Sequence, residues 1–282
     1  MILTLAKGET HLCPLADYPE AERAKRLADS LWVDLFAATA EERALVSSTL
    51  KVELFSPEEL REIEESSRIF MEEGDLNLVC WLPSFESAAP LNLPVGFIVD
   101  EDHLISMRDG DFHAFRVYSG PRRRSFLPKV MSSSAMLVNL LDTIVGQLAS
   151  TLRTIEQDLN QMSLEIFSDT KRLSQSSAFR NLKSIVQRLG RRNVLVSNLR
   201  ESAITVSTLI PFTVNNSRTW MSAETTSQLK ILGKDLGSLK EYNEQLASEI
   251  AFLLDSTMGL ISVDQNQSMK FLGVAALVVA FV

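Results

Sequence analysis

Up to about position 129, short apolar runs alternate with short amphipathic stretches. Runs with period-two alternation and β-branched or aromatic residues predict strands at 2–6, 31–36, 76–82, 95–99, 104–108 and 112–118. Periodic stretches at 17–28, 39–50 and 56–70 predict helices. The last opens Ser56-Pro57-Glu58-Glu59, with an N-cap hydroxyl, a proline at the first helical position and acids in the first turn. Asp100, Glu101 and Asp102 fall between two strands at hairpin spacing and read as a polar turn; a calcium loop would need a longer ligand series.

From about position 130 the apolar period becomes helical and nearly heptad. Leu137, Leu141, Ile144, Leu148, Leu152, Ile155, Leu159, Met162 and Ile166 step by threes and fours, as a helix burying one seam must. Leu182, Ile185, Leu189, Val196, Leu199, Ala203, Val206 and Ile210 mark a second helix. Leu229, Leu232, Leu236, Leu239, Leu246, Ile250, Leu253 and Leu260 mark a third, with polar Asn243 and Thr257 at the heptad positions between them. The expected fold class is an α+β or α/β N-terminal domain, then a long-helix, coiled-coil-like stalk, leading into a transmembrane helix. The domains read as 1–129 for the mixed domain, 130–270 for the stalk (helices about 131–168, 174–210 and 219–270), and 271–282 for the start of a first membrane helix.

That last assignment rests on FLGVAALVVAFV at 271–282, an unbroken apolar run entered directly from the third helix. A helix with no polar face suits lipid better than a three-helix stalk. Twelve helical residues rise only about 18 Å, against the roughly 30 Å of a bilayer core. The run therefore reads as part of a membrane helix, with Lys270 at its edge on the side where positive charge collects.

Charge separates the two halves. Up to position 130 there are 23 acidic against 14 basic residues, and beyond it 13 against 14. An acidic front half argues against a nucleic-acid partner, and Arg122–Arg124, the one basic run, reads as a solvated linker. The two cysteines, Cys13 and Cys80, lack the spacing of a disulfide framework or zinc knuckle and read as buried thiols in a reducing compartment. Positions 1–11 carry no secretory h-region, so the N-terminal domain is expected in the cytoplasm. No Gly-rich phosphate loop, Ser elbow, His-Glu-x-x-His or Cys-His pair supports an enzyme, and His11, His103 and His113 are scattered.

Several stretches resemble the CorA family of divalent-cation transporters: LLDSTMGLISVDQNQSMKFLGV at 253–274 most specifically, and in the family's order WVDL at 32–35, SPEELREIEESSRIFMEEGDLNLV at 56–79 and HLISMRDGDFHAFR at 103–116. The resemblance also takes in LRTIEQDLNQMSLEIF and LKSIVQRLGRRNVLVSNLRES in the stalk, and so covers nearly the whole chain. It implies a cytoplasmic α/β domain, a helical stalk and two membrane helices per subunit of a homopentamer in the inner membrane. The partners it implies are the membrane and further copies of the chain.

By position, Asn266 and Met269 match an Asn-x-x-Met stretch that lines the cytoplasmic part of the family's pore, with Leu272 about one turn further and Asp255 matching an acid lower on the helix. The resemblance implies that Asn266 amides hold hydrated Mg2+ through its waters, that Met269 and Leu272 form apolar constrictions, and that Asp255 draws cations to the inner mouth. Co2+, Ni2+ or Zn2+ are alternative cargo. The family's inhibitory magnesium sites use acids between neighbouring subunits, and Asp235 is the nearest carboxylate to the expected stalk position. The family's Gly-Met-Asn loop and second membrane helix are missing from these 282 residues, so the sequence is expected to stop within the first membrane helix. Two alternatives stay open: a soluble regulatory or scaffold protein built on the transporter's cytoplasmic fold, and a zinc transporter of the same family.

Overall fold

The computed structural model describes residues 1–85, 90–119, 131–167, 175–217 and 219–280, with the side chains of 65, 175–181, 264, 267, 268 and 271–280 left aside. The chain divides into two compact units, Met1–Ser150 with Asn198–Lys240, and Thr151–Ser197 with Glu241–Val282.

The first unit is built on a sheet of strands β1 (Ile2–Ala6), β2 (Cys13–Pro14), β3 (Ser30–Phe36), β4 (Ile69–Glu72), β5 (Asp75–Ser84), β6 (Leu91–Val99) and β7 (Leu104–Arg108). Their spatial order is β2-β1-β3-β7-β6-β5-β4. All neighbours are antiparallel except β3 and β7, which run parallel at the centre with Asp34 opposite Ser106.

Because side chains alternate along a strand, the sheet has two different faces. Ile2, Val33, Leu35, Val79, Ile98, Ile105 and Met107 form one core with Leu27 of α1 (Glu20–Ala28), Val46 of α2 (Ala40–Leu50), the loop residue Phe55 and Leu60 of a 3-10 turn. The α2 start follows the rules of local chemistry. Thr39 accepts from the Glu42 amide and Glu42 returns a carboxylate to the Thr39 amide, a complete capping box. Lys51 ends the helix in the left-handed conformation, at φ 56°.

The opposite face carries Trp32, Asp34, Phe97, Ser106 and Arg108. Here Arg108 donates to both oxygens of Asp34 (2.8–3.2 Å) and to the Gly110 carbonyl (2.7 Å), Ser106 donates to Asp34 (2.7 Å), and Trp32 donates to Ser106 (2.9 Å). The guanidinium lies 4.2 Å from the Phe36 ring centroid and 4.4 Å from that of Phe115. A buried charge is tolerated only when paired and fully hydrogen-bonded, which this network achieves.

Two expected elements differ. Residues 112–118 form no strand: His113–Arg116 is a short helix, α4, and the buried residues Phe112, Ala114, Phe115 and Tyr118 recur at three- and four-residue intervals, a helical and not an alternating pattern. The helix expected over 56–70 is reduced to a 3-10 turn at Glu59–Arg61 and α3 (Glu65–Arg68), after which the chain enters β4. Its start signal is real, since Ser56 and Glu59 exchange hydrogen bonds. The acids that follow give no apolar seam to propagate it, Ile63 is 87% exposed, and pairing of 69–72 with β5 takes the chain instead. In the expected polar turn, Asp100 Oδ1 accepts from the amides of Asp102 (2.6 Å) and His103 (2.5 Å). The Arg122–Arg124 linker and the expected boundary at 129–130 lie outside the described residues.

Three long helices complete the chain: α5 (Ser133–Phe167), α6 (Gln175–Asn216) and α7 (Ala223–Ala280). Within the first unit they meet the sheet through polar contacts. Ser133 donates to the Asp100 and Glu101 carbonyls, Thr205 accepts from the Trp81 amide, and Asn92 donates to Asn198 O and Glu201 while Asn198 donates to Pro90 O. Pro211 stands inside α6 and removes one backbone donor there.

Candidate functional site

The second unit contains residues 151–167 of α5, 175–197 of α6 and 241–280 of α7. Leu152, Ile155, Leu159, Met162 and Ile166 of α5, Leu182, Ile185, Leu189 and Val196 of α6, and Leu246, Ile250 and Leu253 of α7 are all buried, so the heptad reading of the sequence describes the seam correctly. Leu260, on the same stripe, is exposed, so the seam has ended by that point. Polar residues tie the helices outside the seam: Arg188 pairs with Glu165 at 2.8 Å, and Arg192 pairs with Asp158. Tyr242 is hydrogen-bonded to Glu156; burial first, then that carboxylate, pushes its phenol up to about 12.

Asp255, Asn266 and Met269 all lie on α7, Asp255 between buried Leu253 and Thr257 and the other two past the seam, and all are exposed, Met269 at 63%. At about 100° per residue, Asn266 falls within about 20° of Asp255 around the helix and Met269 within about 40°. The buried Ile250, Leu253 and Thr257 point to the opposite side. A line of one carboxylate, one amide and one thioether thus runs along the side of α7 turned away from its own seam, over about 21 Å. The Leu272 side chain lies outside the described residues. Asp235 is exposed on the same helix, in the first unit.

Among the described residues no group of three or more His, Cys, Asp or Glu side chains is close enough to hold a metal ion. Asn266 and Asp255 are therefore single positions on a single chain, and a ring of ligands requires copies. Two helical stretches, Ser133–Phe167 and Ala223–Val263, are long and apolar enough to cross a membrane by composition. In α5 the apolar residues are the buried seam itself, whereas the window in α7 is only 22% buried. The helical backbone of α7 continues through the apolar run to Ala280.

The sequence did not single out the Asp34–Arg108 network. Its signal was present: Asp34 is the one charged residue in an otherwise apolar strand, and a charge there needs a partner.

Comparison with known proteins places this architecture. Residues 28–280 match the family described as CorA-like Mg2+ transporter protein. The chain is 30% identical over 253 residues to magnesium transport protein CorA of Mannheimia succiniciproducens, a match covering 89% of this chain and 76% of that protein. It is 28% identical over 281 residues to magnesium transport protein CorA of Pasteurella multocida, covering 99% and 84%. The complete structure of the CorA magnesium transporter from Methanocaldococcus jannaschii has the same fold, with TM-score 0.70, 14% sequence identity, and coverage of 98% of this chain and 82% of that one. A chain that matches this transporter family over residues 28–280 is a membrane transport protein and not an enzyme. The chain belongs to the CorA-like Mg2+ transporter family.

Proposed function

We propose that the protein is a subunit of an inner-membrane magnesium channel, and that five copies assemble around an axis lined by α7. On this reading residues 1–129 and the stalk to 270 are cytoplasmic, and 271–282 belong to the first membrane helix. Asp255 raises the cation concentration at the inner mouth. Asn266 holds hydrated Mg2+ through its coordinated waters, since this ion gives up water reluctantly and a neutral amide does not trap it. Met269 and Leu272 form the apolar constrictions that close the pathway by dewetting. Asp235 is the carboxylate assigned to regulatory magnesium between neighbouring subunits. The observation that carries the reading is the exposed Asp255–Asn266–Met269 line on the side of α7 opposite its buried seam, because residues turned away from their own chain's core are free to meet a shared axis.

The test is Mg2+ influx into liposomes carrying the protein as its gene encodes it, driven by an inside-negative potential. Saturable influx, reduced at least tenfold by Asn266→Ala, supports the reading; no influx above empty vesicles rejects it. Co2+, Ni2+ and Zn2+, offered singly to the same vesicles with and without a proton gradient, decide the cargo.

A further inference from the structure

Asn243 is 1% exposed in the buried seam of α7, between Leu236 and Leu246. Its Nδ2 donates to the backbone carbonyl of Val196 in the middle of α6, at 3.0 Å. Its Oδ1 is also buried and has no hydrogen-bond partner among the described residues. The other polar residue of the seam behaves differently. Thr257 returns its hydroxyl to Leu253 O of its own helix at 2.6 Å, so it is satisfied wherever α7 stands relative to its neighbours. Asn243 has no such local solution. Its donor is satisfied only while one particular carbonyl of α6 lies opposite, and its acceptor remains unpaired even then. The adjacent Tyr242 reaches Glu156 on α5, so two consecutive residues of α7 fix it against both other helices at one level.

A leucine at position 243 would continue the seam with nothing left unsatisfied, but apolar contacts are non-directional and discriminate between registers less sharply than a buried amide does. We infer that Asn243 is a register pin of the helical stalk: it makes one longitudinal position of α7 against α6 uniquely favourable, at a cost in stability. The cost has a clear return. From Ala223 to Ala280, α7 is one continuous helix, so a slip at 243 displaces every later residue, Asp255 and Asn266 included, by the same distance. One helical turn of slip amounts to about 5.4 Å. A polar, directional contact in the seam sharpens the height at which that line of side chains is held, beyond what non-directional leucine packing supplies.

The test measures register directly. Spin labels are placed at the exposed positions Gln187 on α6 and Gln245 on α7, in protein carrying Cys13→Ser and Cys80→Ala and diluted into unlabelled chains so that within-chain distances are read. With Asn243 present, one narrow distance is expected. Asn243→Leu should split or broaden it by several ångström while the thermal midpoint stays level or rises. A single distance identical to the parent's overturns the proposal whatever the midpoint does. Asn243→Val serves as a second apolar variant, and failure of both to fold also overturns it, because a pin retained at a cost in stability predicts that apolar replacements fold at least as well.

Discussion

Asp34 on β3 and Arg108 on β7 form an ion pair 2.8 Å apart with side chains 0% and 3% exposed, across the parallel junction of β3 and β7. Removing one partner leaves the other buried and unpaired, so Asp34→Leu or Arg108→Met alone should cost about 3–5 kcal/mol. Replacing both, as Asp34→Leu with Arg108→Met, should cost clearly less than the sum of the single losses, because no orphan charge remains. Denaturant midpoints of the four proteins check this, and full additivity would refute it.

His103 donates to Asp100 Oδ2 (3.4 Å) and to the Ala28 carbonyl (3.3 Å), an arrangement that requires protons on both ring nitrogens. The Asp100 bond raises the His103 pKa, burial opposes it, and the carbonyl adds to the rise. For Asp100, burial alone would raise the carboxyl, but the bonds from the His103 side chain and from the His103 and Asp102 amides hold it below its ordinary value. A histidine with a raised folded-state pKa contributes stability that is complete below its ordinary value of about 6.5 and is lost as pH climbs through the folded pKa. Histidine NMR titration should place His103 above 6.5, and Asp100→Asn should bring it down; an unchanged value in that variant would exclude the pair as the cause.

Cys80 is fully buried on β5, and burial pushes its thiol up to about 12, while Cys13 is half-buried at the sheet edge. A disulfide reagent such as DTNB should therefore release one equivalent per native chain and two after unfolding. The Cys13→Ser protein should release none until it is denatured. Rapid release of two equivalents from the native protein would contradict the burial of Cys80.

If Asn266 holds a hydrated cation through water, a carboxylate at that position should bind it too well. Asn266→Asp is expected to lower the Mg2+ concentration for half-maximal influx and to reduce the maximal rate at least several-fold in proteoliposomes. A faster maximal rate would count against a water-mediated amide site.

The sequence carried the elements whose pattern is long or local. Three heptad stripes marked three long helices, because a seam of eight or nine spaced apolar positions has few alternative explanations. Strands at 2–6 and 104–108 read correctly from alternation flanked by turn residues. The errors fell where two signals competed. Around 112–118 aromatic residues suggested a strand although their spacing was helical. At 56–70 a genuine capping box began a helical turn that buries only Leu60 before acids and exposed Ile63 break its apolar face, and a sheet edge then captured its end. The Asp255–Asn266–Met269 line was named from a resemblance, yet its position opposite the seam follows from helical spacing alone. The partner of Asp34 was not legible, since nothing local in a sequence reveals which strand will lie alongside another in parallel.

That parallel junction also bears on how the chain is made. Asp34 and Ser106 are 72 residues apart, so the central strand, already emerged from the ribosome, must wait for its neighbour to be synthesised. At about 5–20 residues per second the delay is roughly 4–14 s. During that interval Leu31, Trp32, Val33 and Leu35 have no second edge to pair with and Asp34 has no counter-ion. Until β7 is made, one edge of β3 therefore stays open, with its apolar residues and an unpaired carboxylate exposed to other chains.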